Sequence, residues 1–76
     1  MYYVYLILYG KDSNQRYIGY TSDLKRRIKE HKIKKENVRL IYYEAYPSED
    51  IARNREISLK KSGSARKSLY ERLKLL

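Results

Sequence analysis

RYIGYTSDLKRRIKEH, residues Arg16 to His31, decides how this chain folds, because it runs from a short strand straight into a helix. Arg16 to Tyr20 is β-branched and aromatic, and it predicts a strand. Thr21-Ser22-Asp23 supplies cap-forming oxygens, and the basic run that follows predicts a helix from about Asp23 to Lys35. Thr21 or Ser22 is the expected cap, with Asp23 placed at the positive end of the helix dipole. At about 100° per residue, Leu24, Ile28 and His31 share one helix face with Arg27 beside them, while Arg26 points the opposite way. Two adjacent arginines thus have different fates, one held against the core and the other in solvent.

Working outward, Tyr2 to Tyr9 (YYVYLILY) is apolar on both alternating faces, which suits a strand covered on each side. Tyr3, Tyr5, Ile7 and Tyr9 fall on one of those faces. Gly10-Lys11-Asp12-Ser13-Asn14 is a turn cluster short enough to close a hairpin with Arg16 to Tyr20. Gly19 removes a side chain inside that second strand, where a neighbouring group must approach closely. Downstream, Val38 to Tyr46 reads as a third strand ended by Pro47. Ser48 caps a second helix with Glu49 and Asp50 in its first turn, Ala52 and Leu59 on its buried stripe and Glu56 at the stripe's border. Gly63 is the expected left-handed stop of that helix. Ser64 then opens a third, whose stripe is Ala65, Leu69, Leu73 and Leu76. The order ββαβαα gives an α/β (α+β) fold, a small sheet packed with helices, as one domain over residues 1–76.

Eighteen Lys and Arg against nine Asp and Glu leave a formal net charge of +9, which favours an anionic partner, nucleic acid before membrane or acidic protein. No cysteine is present, so disulfides, thiolate zinc sites and cysteine nucleophiles are excluded. Val4 to Leu8 is too short an apolar run to span a bilayer and is not framed as a signal peptide, so the expectation is a cytoplasmic soluble protein.

Tyr3-Val4-Tyr5, Tyr17-Ile18-Gly19, Arg27, His31 and Glu56 together resemble the signature of the GIY-YIG nuclease superfamily. The resemblance runs through nearly the whole chain, including LIYYEAY, the helix carrying Ala52, Arg55, Glu56 and Lys60, and the SGSARKSL segment. It is strongest toward small stand-alone members similar to the N-terminal domain of the excision-repair subunit UvrC. It implies a three-stranded antiparallel sheet flanked by three helices and a metal-dependent endonuclease that hydrolyses DNA phosphodiesters, in repair or processing. Tyr5 and Tyr17 match the family's paired tyrosines, Arg27 its catalytic arginine, His31 a histidine near the nucleophile and Glu56 its metal-binding glutamate. One divalent ion, Mg²⁺ or Mn²⁺, is the implied cofactor.

These residue types suit that chemistry on their own terms. A guanidinium offers paired donors to the charge that develops on a phosphate under attack. A single carboxylate is enough for Mg²⁺, which keeps most of its waters. The base that takes a proton from water is open: the Tyr5 or Tyr17 phenol, starting near about 10, or His31, starting near about 6.5. Taken singly, each residue has an ordinary role: Glu56 pairing with Lys60 four positions on, strand tyrosines packing, His31 solvated on a helix. The joint pattern across separate segments carries the assignment.

Lys25, Arg26, Lys29 and Lys32 on the first helix, and Lys60, Lys61, Arg66 and Lys67 around the end of the second, are the expected phosphate contacts, sensitive to salt and indifferent to sequence. DNA is the expected partner, with RNA an open alternative, and specificity would come from DNA shape, a homodimer or a DNA-binding partner protein. Three departures set the chain apart from the family, the first being Tyr3 where the family has its opening glycine. HKIKKENVRL passes from helix to strand without the usual basic, glycine-containing segment, and no asparagine follows the glutamate helix in the expected place. The alternative function is a catalytically weak or silent nucleic-acid-binding module.

Overall fold

Tyr2–Tyr9 forms β1, the middle strand of a sheet ordered β2-β1-β3, in a computed structural model that describes residues 1–75. Gln15–Thr21 is β2 and Arg39–Tyr46 is β3, and both run antiparallel to β1. The helices are α1 (Leu24–Lys34), α2 (Glu49–Lys61) and α3 (Gly63–Arg72). The ββαβαα order and the three-stranded antiparallel sheet are those expected.

Alternation along β1 divides the fold into two faces. Val4 and Leu6 point to one side, where they meet Ile18, Ala52, Leu59 and Leu69 in the main core beneath α2 and α3. Burying a side chain such as Leu59 or Leu69 stabilises by about 1.5–3 kcal/mol. Tyr5 and Ile7 point to the other side and are as deeply buried, with α1 laid over them through His31. Ala65 and Leu73 of the expected α3 stripe pack against the core, while Leu76 lies outside the described residues. Among the described residues no helix is long and apolar enough to cross a membrane.

Four helix ends differ from expectation, the plainest at Ser48, which stands at the N-cap of α2 but whose hydroxyl makes no capping bond. Asp23, rather than Thr21 or Ser22, caps α1 by accepting from the Arg26 N–H at 3.1 Å, because the Thr21 hydroxyl is occupied by the Asp23 N–H at 3.1 Å. Gly63 does not stop α2 in a left-handed conformation. It begins α3, and Gly10 is the only glycine with positive φ among the described residues. Ser62 is instead the joint: it ends α2, and its hydroxyl accepts from the Ala65 N–H at 3.1 Å to start α3. Ser64, expected to open α3, therefore lies inside its first turn. The direct passage from α1 to β3 is stapled to the hairpin, since the Asn37 amide donates to the Gly10 and Lys11 carbonyls and the Gly10 N–H donates to Glu36 O at 2.8 Å.

On the core side, α2 is tied to β3 by a charged cluster. Arg55 donates to both carboxylate oxygens of Glu44, from Nε at 2.9 Å and from Nη2 at 3.0 Å, while Tyr42 and Tyr46 donate to the same carboxylate. Burial pushes the Glu44 carboxyl upward, but these donors outweigh it and hold the group below its ordinary value. A depressed folded value means the cluster's contribution is complete above the unfolded value near about 4.3 and is lost as pH falls below it. In denaturation measurements at pH 7, Glu44→Gln should lower stability by about 1–3 kcal/mol. The same variant should flatten the loss of stability that the parent shows below about pH 4.5, around the unfolded carboxylate range.

Candidate active site

Gly19 decides where the Tyr5 ring goes. The two residues face each other across β1 and β2, and a Cβ on Gly19 would lie 2.6 Å from the Tyr5 hydroxyl and 2.9 Å from the Tyr17 ring. The missing side chain lets the phenol lie flat over the strand and reach α1. There the Tyr5 hydroxyl meets His31 Nε2 at 2.8 Å. Tyr17, two residues before Gly19 on the same face, completes an aromatic cluster, its ring centroid 5.0 Å from His31 and 6.2 Å from Tyr5.

Lys35, one turn beyond His31, sets the proton on the imidazole. Its ammonium lies 3.0 Å from His31 Nδ1 and, carrying only donors, obliges that nitrogen to accept. The ring proton therefore sits on Nε2, which donates to the Tyr5 oxygen and leaves the phenol's own hydrogen free to point elsewhere. Burial, reinforced by the Lys35 and Arg27 charges, pushes the His31 pKa below its ordinary value. Lys35 also lies over the rings of Tyr17, at 5.4 Å, and Tyr9, at 5.5 Å.

Around this centre the charged residues arrive from two helices. Arg27 is one-third exposed and bonded to Glu30 at 3.0 Å, which holds its guanidinium more firmly protonated. The Tyr5 and Tyr17 phenols nearby also favour its charged form, while the hydrogen bond it makes runs to Glu30. Burial pushes the Tyr5 phenol up to about 12; Arg27 opposes the shift, whereas Tyr17 and Glu56 add to it. Glu56 comes from α2, its side chain 17% exposed and paired with Lys60 at 3.3 Å, and Lys60 in turn stands 5.5 Å over the Tyr17 ring. Tyr5, Tyr17, Arg27, His31 and Glu56 thus converge, although they begin on four separate elements. Tyr5 and His31 are almost wholly buried, at 1% and 2% exposure. Tyr17 is the phenol that reaches a shallow groove, bounded also by Lys60, Arg16 and Arg66.

The basic residues do not form one stripe. Lys25, Lys29 and Lys32 line a groove between α1 and β3, whereas Lys60 and Arg66 lie by Tyr17 at the junction of α2 and α3. Arg26 is solvated beside Glu30 at 3.9 Å, and Lys61 and Lys67 are exposed. Arg66 spends its guanidinium on the carbonyls of Leu59 and Lys60 at the end of α2, so its charge serves the helix end as well as the surface. Sequence reading missed Lys35 as an individual, and its i, i+4 spacing from His31 was the available signal.

As for a cation, no group of three His, Asp or Glu side chains suited to holding a metal occurs among the described residues. This disfavours a zinc-type site, which needs several protein ligands. Glu56 does suit Mg²⁺ or Mn²⁺ anchored by one carboxylate, since it is already held against a positive partner that a cation could replace.

The GIY-YIG catalytic domain model matches residues 1–71, and the chain belongs to that family. Family membership implies a nuclease-type activity on DNA. Among solved structures, the chain is similar to the UPF0213 protein BH0048 from Bacillus halodurans, determined by solution NMR. The two share 32% identity at a TM-score of 0.58, over 97% of this chain and 86% of that one. Comparison with curated proteins gives no match.

Because His31 is the chain's only histidine, its ring nitrogens can be read without assignment ambiguity. Long-range ¹H–¹⁵N spectra should show Nε2 protonated and a titration midpoint below about 6.5. Lys35→Met should raise that midpoint, and a proton on Nδ1 in the parent would contradict the arrangement. Gly19→Ala should displace Tyr5 from His31 and cost about 1–3 kcal/mol of stability, measured by chemical denaturation, since the Tyr5 and Tyr17 rings crowd the new methyl.

Proposed function

We propose that this chain is a metal-dependent endonuclease that hydrolyses DNA phosphodiesters, working in repair or processing. The observation that carries the reading is the meeting of Arg27 and Glu56 around the Tyr5–Tyr17 pair. A donor that stays charged, a carboxylate for a hard cation and a reachable phenol are the groups that phosphodiester hydrolysis needs. The repair role rests on the resemblance of the chain to small stand-alone GIY-YIG members that are similar to the UvrC N-terminal domain.

Arg27 donates to the non-bridging oxygens of the scissile phosphate and stabilises the charge that builds there during attack. Being shared with Glu30, its guanidinium keeps a fixed aim without losing its charge. Glu56 would hold one Mg²⁺ or Mn²⁺, exchanging Lys60 for the ion, and the ion when bound supplies charge stabilisation to the phosphate and leaving oxygen. Tyr17 is the hydroxyl within reach of water and substrate, and it takes the water's proton when in its phenolate form. Tyr5, raised to about 12, stays protonated at neutral pH and, with His31 beneath it, positions Tyr17 and Arg27. Lys35 and Lys60 bring two ammonium groups over the Tyr17 ring and add positive charge where the phosphate sits.

One observation favours a quieter alternative, a nucleic-acid-binding module with little or no catalysis. Both charges central to the chemistry already have partners, Arg27 in Glu30 and Glu56 in Lys60. Nicking of supercoiled and branched DNA with Mg²⁺ or Mn²⁺ decides between them. Arg27→Ala and Glu56→Gln should each lower the rate about 10²–10³-fold, as loss of one preorganised charge does elsewhere. Cleavage unaffected by either substitution ends the endonuclease reading, and salt-sensitive binding with no cleavage on any substrate establishes the module.

A further inference from the structure

α1 separates two surfaces of opposite use. Lys25, Lys29 and Lys32 recur at i, i+4 and i+7, so they form a row along one side of the helix, about 10 Å long at 1.5 Å per residue. Arg27 lies about 140–160° around the helix from all three at 100° per residue. The lysine row therefore cannot serve the scissile phosphate directly.

What it does border is an open groove of about 730 Å³ between α1 and the edge strand β3. Tyr3, Tyr43, Leu40 and Ile28 line its apolar part. Tyr43 is 54% exposed and Leu40 39%, a concentration of large apolar groups in solvent that nothing in the fold requires. Tyr43 is braced by an edge-to-face contact with Tyr3, centroids 6.0 Å apart, so its ring is held in place while more than half the residue remains accessible. The single acid in the lining, Asp23, is already engaged in capping α1.

We propose that this groove binds an unpaired nucleotide of a single-stranded segment, the base stacking against Tyr43 and the adjoining phosphates meeting Lys25, Lys29 and Lys32. This rests on the nucleic-acid reading given above and adds the class of substrate. Three ammonium groups with no acidic partner among the described residues, beside a rigid, exposed aromatic ring, complement a polyanion that carries π-faces. Paired bases hide those faces inside the stack, so only an unpaired base can use the ring. α1 is about 10–12 Å across, roughly three nucleotides at the ~3.4 Å stacked rise. One strand can therefore cross the helix, with an unpaired end in the groove and the junction at Tyr17 and Arg27. The preferred DNA is one with a single-stranded arm beside the duplex.

The test titrates the full chain, without metal, into a single-stranded oligonucleotide carrying 2-aminopurine, into the blunt duplex of the same sequence and into a duplex with a six-nucleotide arm. Stacking should quench the 2-aminopurine in the single strand and the arm. Tyr43→Ala should weaken binding to both by about five- to one-hundred-fold, the range for loss of one base–aromatic stack, and leave the blunt duplex within about twofold. Tyr43→Phe, which keeps the ring, should restore quenching and affinity, separating stacking from misfolding. Lys25→Gln with Lys29→Gln should weaken arm binding and reduce the slope of its log–log salt dependence by about 1.4. Equal loss on single strand and blunt duplex, or no loss with Tyr43→Ala, overturns the groove. So does displacement of the oligonucleotide by poly-glutamate that itself depends on Tyr43. Cleavage scored on the same DNAs after Mg²⁺ or Mn²⁺ is added keeps the two proposals apart. Tyr43-dependent binding without cleavage upholds the groove and removes the nuclease, whereas cleavage with Tyr43-independent binding does the reverse.

Discussion

The Tyr5–His31 hydrogen bond is where strand, helix and candidate site depend on one another. A phenol buried to 1% exposure must find a partner, and so must an imidazole at 2%. Each satisfies the other at 2.8 Å, and the bond can form only because Gly19 leaves room for the ring. It fixes the height and rotation of α1 over the sheet. Since Arg27 lies one turn before His31, it also fixes where the guanidinium points. Placement of the Arg27 guanidinium and helix packing are thus consequences of a single contact.

The two faces of β1 are stabilised in different ways. The Val4 and Leu6 face is an apolar core closed by Ala52, Leu59 and Leu69, and its polar cluster, Glu44 with Arg55, Tyr42 and Tyr46, lies where α2 crosses the third strand. The Tyr5 face carries few aliphatic contacts and relies on directed polar and aromatic ones. Such groups hold a geometry more narrowly than aliphatic packing does, at the cost of needing every partner in place. That is a reasonable division for a small domain, which must obtain stability from one side of its sheet and a defined site from the other.

Much of this was legible from residue order. Alternation in YYVYLILY and the helical phase of LKRRIKEH were enough to separate Arg27 from Arg26 and to put His31 on the buried side. Helix ends were less legible, because several neighbouring residues carry suitable oxygens and only tertiary position decides which one is free. Thr21, Ser22 and Asp23 all qualified as caps, and Gly63 looked like a stop until the Ser62 hydroxyl took the start of the next helix. Relations between elements were the least visible. The link from Lys35 to His31 falls within one helix and could have been found by spacing, but Tyr43 beside Tyr3 and the lysine row depends on which side of the sheet α1 occupies.

Ser62 ends one helix and begins the next, so no linker residue separates them. The corner has no slack. A residue inserted just beyond it, within the first turn of α3, would turn the rest of that helix by about 100° and carry Leu69 off the core face. It would also disturb the end of α2, where Lys60 stands against Glu56 and Tyr17. Change in chain length is absorbed more readily at the exposed tip of the β1–β2 hairpin, around Asp12 and Asn14, beyond the Gly10 and Lys11 carbonyls that Asn37 holds. The separation of Glu56 from the core-closing leucine is in effect a fixed measure, and divergence of this fold must proceed by substitution at that corner rather than by insertion.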